Sequence, residues 1–299
     1  MKKGNMWAYH IIALATIAVW GSTFVSTKVL IGHGLTPADI FTLRFVIAYV
    51  IIAFMAGRKV FADSVRDELR MAALGITGGS VYFLAENEAL VYSTASNVSL
   101  IVCSCPLFTT LMYKMVYRNV RLGKGLVAGS ILAFVGMATV VLNGRFVLHL
   151  SPIGDTLAFV ACICWAVYSL LIRDAYKKYS SLFITRKVFF YGIITMLPYY
   201  MLKGGMPCPD ISSTVVIGNL LFLGVVASML CFLAWTWCMR NLGAVRTTNY
   251  VYLNPITTIV LGNIILQERI TAYFVVGTAL ILAGLYLCNK RYGDNQLED

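Results

Sequence analysis

Glu86 and Glu88 are the residues of this sequence best suited to chemistry, because both interrupt the apolar run 70–92. A charged side chain deep in a membrane span costs about 2.5–3.5 kcal/mol on insertion scales, so it faces protein or water rather than lipid. The two acids point to different faces of a helix. Glu88 lies nearer the end of the run, where solvent reaches it; Glu86, about two turns in, is the candidate for an internal cavity. Arg44 stands about two turns into the run 36–57 from the same side of the membrane. An Arg44–Glu86 ion pair is one reading, and handling of substrate or protons by Glu86 is the other. Lys28, one turn from the end of the run 7–31, competes as a partner or extends outward to water.

Polar and aromatic stripes accompany these charges. Thr16, Trp20, Thr23 and Thr27 recur at helical spacing on one face, and the matched positions of a later span carry Trp165 and Tyr168. Thr247, Tyr250 and Asn254 share a face of the ninth span, Asn97 follows the start of the fourth, and Trp235 stands where the first half has Glu86. The expected lining of a substrate site is therefore Trp20, Thr23, Thr27, Arg44, Glu86, Asn97, Trp165, Tyr168, Trp235, Tyr250 and Asn254. An aromatic cavity with a few fixed polar groups suits amphipathic or aromatic small molecules. Pro106 and Pro255 fall in the middle of two apolar runs, where each removes a backbone donor and bends a helix. They are expected kinks and candidate gating points.

Other chemistries are poorly supported. Cys103 and Cys105, like Cys162 and Cys164, are two residues apart and point to different faces of a helix, and His10, His33 and His149 lie near span ends, so no metal site is expected. Cys208, in a loop between spans, has no partner for a disulfide. Neither HExxH nor GxSxG is present, and no phosphate-binding GxxxxGK[ST] loop occurs. The sequence thus calls for no cofactor and no ATP hydrolysis, and a polytopic enzyme is the weaker reading.

The elements that must position these residues are membrane helices. Of 299 residues, 59% are apolar and 12% charged, about half the charged fraction of a soluble domain, and the mean hydropathy is +0.79. Ten spans are predicted at 7–31, 36–57, 70–92, 94–117, 123–143, 152–173, 182–203, 214–239, 243–267 and 271–289. The net charge of +11 does not signal nucleic acid, since the basic residues cluster between apolar runs. Seventeen Lys and Arg fall on one side, from Lys2 and Lys3 through Lys59 and Lys177 to Arg291, against Arg145, Lys203 and Arg269 on the other. The positive-inside rule then makes both termini cytoplasmic.

The chain is also a duplication. At an offset of 149, Gly75 falls on Gly224, Phe83 on Phe232, Ala85 on Ala234, Val102 on Val251 and Pro106 on Pro255. At 148, Gly129 falls on Gly277 and Gly136 on Gly284; at 145, Trp20 falls on Trp165. Each copy holds five spans, and an odd number inserts the second copy the opposite way. Inverted repeats are a common transporter architecture, with the site near the midplane between the halves.

The stretches WGSTFVSTKVL, TPADIFTLRFVIA, AENEAL with NVSLIVCSCP, and LGAVRTTNYVYLNP with LQERITAYFVVGTALILAG resemble the EamA family of the drug/metabolite transporter superfamily, over residues 7–289. The resemblance implies an all-α integral membrane fold of ten transmembrane helices, two inverted five-helix repeats around a central cavity. It implies a multi-pass protein of the bacterial inner membrane that exports small metabolites such as amino acids by alternating access. A lipid flippase of the same fold is the alternative. Val120 departs from the family pattern, since the acidic residue of its LxE motif is present only in the second copy, as Glu268. The domains read as a cytoplasmic N-terminus 1–6, a first repeat 7–144, an inverted second repeat 150–290 and a cytoplasmic tail 291–299. Expected partners are a small-molecule substrate and the lipid bilayer, not nucleic acid; a homodimer is left open.

Overall fold

The computed structural model describes residues 6–57, 59–93, 98, 101–117, 123–142, 151–203, 213–257, 260 and 271–289, and every regular element among them is helical. Asn97, Val120, His149, Cys208 and Glu268 lie outside the described residues, as do both termini.

In the first half, α1 (Met6–Gly32) turns through Gly34, whose φ of +88° is one that glycine adopts without strain, into α2 (Pro37–Met55). Thr36 and Asp39 cap that start reciprocally. The Thr36 hydroxyl accepts the Asp39 N–H at 3.3 Å and the Asp39 carboxylate accepts the Thr36 N–H at 2.9 Å. The third span begins earlier than its apolar pattern, at α3 (Val65–Gly75), because Ser64 caps it and Asp67 and Glu68 fill its first turn. It continues through a π-helical turn, Ile76–Ser80, into α4 (Val81–Tyr92). The helices α5 (Cys105–Val116) and α6 (Lys124–Leu142) follow.

The second half repeats this plan. It runs through α7 (Pro152–Lys178), α8 (Ser181–Ile194), α9 (Leu197–Lys203), α10 (Thr214–Leu221), a π-helical stretch Phe222–Leu230 and α11 (Cys231–Leu242). Then come α12 (Ala244–Thr248), a 3-10 segment Asn249–Leu253, and α13 (Ala272–Asn289). The span predicted at 182–203 is broken at Thr195–Met196, where the Thr195 hydroxyl donates back to the Tyr191 carbonyl at 2.7 Å and Pro198 follows.

The two central prolines do not bend continuous helices, contrary to the sequence expectation. Pro106 is the second residue of α5, after a turn at Cys103–Ser104, and Pro255 enters a helical turn directly after the 3-10 segment. In a first helical turn the missing N–H has no partner to lose, so each span restarts at its proline.

The repeats pack as an inverted pair. A methyl built on Gly129 would lie 2.5 Å from the Gly284 carbonyl oxygen, and one on Gly277 would lie 2.6 Å from that of Gly136. Under the 148-residue offset these are the same contact read from either repeat, the reciprocity a two-fold axis demands. The order is reversed along the chain, so α6 and α13 are antiparallel. Away from this seam, Gly75 meets Gly192 of α8 and its equivalent Gly224 meets Ile47 of α2. Likewise α4 packs on α7 as α11 packs on α1.

A charged cluster joins the loop after α2 and the start of α3 to the α7–α8 junction. Lys178 pairs with Asp67, Lys187 with Glu68, and Arg70 with Asp174 at 3.5 Å. Arg186 donates to the Gly57 carbonyl at 3.1 Å. The loop bearing Lys59 and the end of α7 bearing Lys177 therefore share one face of the protein.

Candidate functional site

A cavity opens between the repeats, with about 490 Å³ of unfilled space that includes space open to solvent. Its walls are Trp20, Thr23 and Phe24 of α1, Arg44 of α2, Tyr82, Phe83 and Glu86 of α4, Trp165 of α7 and Phe232 of α11. Val102 and Cys105 on one side, with Val251 and Asn254 on the other, line it at the two broken spans.

Four pairs of these residues are repeat equivalents: Trp20 with Trp165, Phe83 with Phe232, Val102 with Val251, and Cys105 with Asn254. The two tryptophans face each other edge-on at 5.5 Å and the two phenylalanines lie 6.2 Å apart. The cavity thus sits on the pseudo-two-fold axis. The remaining lining residues, Thr23, Phe24, Arg44, Tyr82 and Glu86, all belong to the first repeat. Their counterparts are Tyr168, Ser169, Phe189, Cys231 and Trp235. The walls are symmetric and aromatic; the charge is one-sided.

Arg44 is 3% exposed. Its Nε donates to the Ser228 hydroxyl at 2.8 Å and its guanidinium lies 4.6 Å from the centre of the Phe83 ring. Glu86 is 7% exposed and accepts the Tyr82 hydroxyl at 2.9 Å, one helical turn away. No Arg44–Glu86 ion pair forms among the described residues. The paired reading gives way to two charges in one cavity, each held by a neutral neighbour.

The π-helical stretch of the second repeat explains part of this geometry. There the Cys231 N–H bonds to the Val226 and Ser228 carbonyls rather than to Ala227, and the Ala227 carbonyl accepts the Trp20 indole N–H at 2.9 Å. The next residue, Ser228, holds Arg44. The equivalent Trp165 indole has no hydrogen-bond partner, although the residue is 4% exposed. Such bulges recur at functional sites because they re-aim backbone groups that a regular helix uses internally.

Six expected site residues meet at this cavity: Trp20, Thr23, Arg44, Glu86, Trp165 and Asn254. Asn97 lies outside the described residues, and the other expected residues do not line it. Thr27 is buried in packing. Tyr168 lies behind Trp165 with its ring against Gly78. Trp235 is fully buried, 5.0 Å from Trp20. Tyr250 bonds the His10 imidazole at 2.5 Å. Pro106 and Pro255 flank the cavity through their neighbours Cys105 and Asn254. Sequence reasoning missed Phe24, Tyr82, Phe83, Val102, Cys105, Phe232 and Val251 as lining. Tyr82 stands four residues before Glu86 and Phe24 four after Trp20, a spacing that marks a shared helical face.

Among the described residues no cluster of metal-binding side chains occurs. Residues 7–142 and 152–290 each match the EamA-like transporter family. The chain belongs to that family. Each repeat accounts for one match, so this EamA-like transporter is an all-helical, multi-pass membrane protein whose two family units are its two repeats. It is 27% identical, over 94% of this chain and 98% of the relative, to a transporter of Archaeoglobus fulgidus. It is 28% identical, over 92% and 91%, to a probable terminal-alkyne amino-acid exporter of Streptantibioticus cattleyicolor. A crystal structure matches the fold with a TM-score of 0.75 at 18% identity, covering 94% of this chain and 97% of the other.

Proposed function

We propose that this EamA-like transporter exports amino acids or related zwitterions with apolar or aromatic side chains, by alternating access around the central cavity. The observation that carries the reading is that Arg44 and Glu86 line one aromatic cavity without a direct ion pair between them. A guanidinium recognises a carboxylate and a carboxylate recognises an ammonium group, so one zwitterion satisfies both. Trp20, Trp165 and Phe232 supply apolar faces for the rest of the molecule. The related amino-acid exporter is in keeping with this cargo.

In this reading the repeats 7–144 and 150–290 rock against each other, with the helix restarts at Pro106 and Pro255 as hinges and both termini cytoplasmic. The test uses purified protein in proteoliposomes loaded with labelled amino acids, one at a time. Protein-dependent exchange of aromatic and large aliphatic amino acids is expected, with little for acidic ones. Exchange of none of them, together with movement of labelled phospholipid between leaflets, would replace the reading with a lipid flippase.

A further inference from the structure

We propose that Trp20 and Trp165 set which way the transporter faces, each indole N–H bonding a carbonyl of the opposite repeat in one facing state and releasing it in the other. The inference rests on the alternating-access reading above and adds the hydrogen bond that the two states exchange.

One half of the exchange is present in this structure. Trp20 donates to the Ala227 carbonyl of the second repeat at 2.9 Å. Under the repeat offsets of 145 and 149, Trp165 takes the place of Trp20 and Gly78 that of Ala227. The second bond is not made: the Trp165 indole nitrogen is closed off from solvent and has no partner among the described residues. An unpaired buried donor is costly. A cargo molecule in the cavity does not reach a nitrogen that water does not reach, so the missing acceptor belongs to another arrangement of the protein.

That acceptor is close at hand. Gly78 packs on α7 about one turn along from Trp165, since a methyl built on it would lie 2.3 Å from the Tyr168 ring. Its backbone is not part of a regular helix. In the π-helical turn Ile76–Ser80 the Val81 N–H bonds to the Ile76 carbonyl rather than to Thr77, and Gly79, at φ −126° and ψ −105°, leaves the helical region. The peptide unit carrying the Gly78 carbonyl thus has a glycine on each side, so it turns toward α7 with no side chain opposing it. In the second repeat the π-helical stretch already presents the equivalent carbonyl to Trp20.

Inverted repeats related by a two-fold axis give two facing states that are images of each other with the repeats interchanged. Rocking to the other state therefore breaks the Trp20 bond to Ala227 as the Trp165 bond to Gly78 forms. One indole bond is kept throughout the cycle.

The experiment follows amide hydrogen exchange of the full chain in lipid nanodiscs at two opposite faces, residues 59–70 beside the charged cluster and residues 32–37 at the Gly34 turn. Trp→Phe keeps an aromatic ring and removes only the donor. Trp20→Phe should shift the balance of facing states about 2- to 12-fold, the effect of one ordinary hydrogen bond, so that one face gains exchange and the other loses it. Adding Trp165→Phe to Trp20→Phe should reverse both changes and return the faces to the wild-type pattern. Changes that instead add in the double variant, or faces that stay as in the wild type in every variant, overturn the proposal. Exchange of labelled L-phenylalanine in proteoliposomes, run in parallel, reads the cargo assignment alone. If L-phenylalanine does not exchange while the faces shift and reverse as expected, the cargo reading fails and the indole exchange stands. If Trp165→Phe weakens L-phenylalanine exchange and moves neither face in either background, Trp165 is a cargo contact and the indole exchange is overturned.

Discussion

The seam between α6 and α13 offers a test of the inverted architecture that does not depend on the cargo. A methyl at Gly129 would lie 2.5 Å from the Gly284 carbonyl oxygen and 2.8 Å from both the Cys288 N and Sγ; a methyl at Gly277 would lie 2.6 Å from the Gly136 carbonyl oxygen and 2.9 Å from the Val140 N. These neighbours are mostly backbone atoms, so relief requires the helices to separate by roughly 1 Å, which forfeits a quarter to a half of each dispersion contact along the seam. Overpacking of this kind costs about 1–3 kcal/mol. Because the two glycines are repeat equivalents, Gly129→Ala and Gly277→Ala should cost alike. The double variant should cost less than their sum, since one separation relieves both. Gly218→Ala is the control of opposite sign: it stands in α10 with nothing within 4 Å, and alanine is the better helix former by about 1 kcal/mol. Thermal unfolding of the detergent-solubilised protein, followed by tryptophan fluorescence, reads all four. A silent Gly277→Ala beside a destabilised Gly129→Ala would refute the reciprocal packing and with it the pseudo-two-fold axis.

Ser228→Ala should destabilise the protein by about 1.5–3 kcal/mol, because it strips a buried guanidinium of a hydrogen bond; the same unfolding assay checks it. Trp20→Phe loses the bond to the Ala227 carbonyl, at about 0.5–1.5 kcal/mol, whereas Trp165→Phe breaks no hydrogen bond, so Trp20→Phe should be the less stable of the two. Asp67, in the polar first turn of α3 ahead of the apolar run 70–92, is held at about 2 rather than the usual 3.8 by hydrogen bonds from Lys178 and then Tyr179. Its folded-state pKa lies below the unfolded value, so its contribution is complete above about pH 4 and is lost as the pH falls from 4 towards 2. Asp67→Asn should flatten the fall of the unfolding temperature over that window.

Much of the fold was legible in one dimension. The number of apolar runs, the odd count per copy and the placement of Lys and Arg are properties of the chain order, and they suffice for two inverted repeats. Glu86 and Arg44 were legible for the same reason, since an ionisable residue in an apolar run is costly wherever the helix turns. Tertiary structure decided which side chains meet. A face assigned by the 3.6-residue period holds only while the helix stays regular, and each π-helical stretch, Ile76–Ser80 and Phe222–Leu230, adds backbone that rotates everything after it. Phe83 and Phe232 lie just beyond those stretches and line the cavity, while Trp235 is buried behind its wall. The freed Ala227 carbonyl and the Ser228 hydroxyl likewise settle that Trp20 and Arg44 bond to the opposite repeat. Arg44 is held by Ser228 of the opposite repeat, a neighbour that only folding supplies, whereas Tyr82 stands one helical turn before Glu86, a neighbour the sequence spacing does encode.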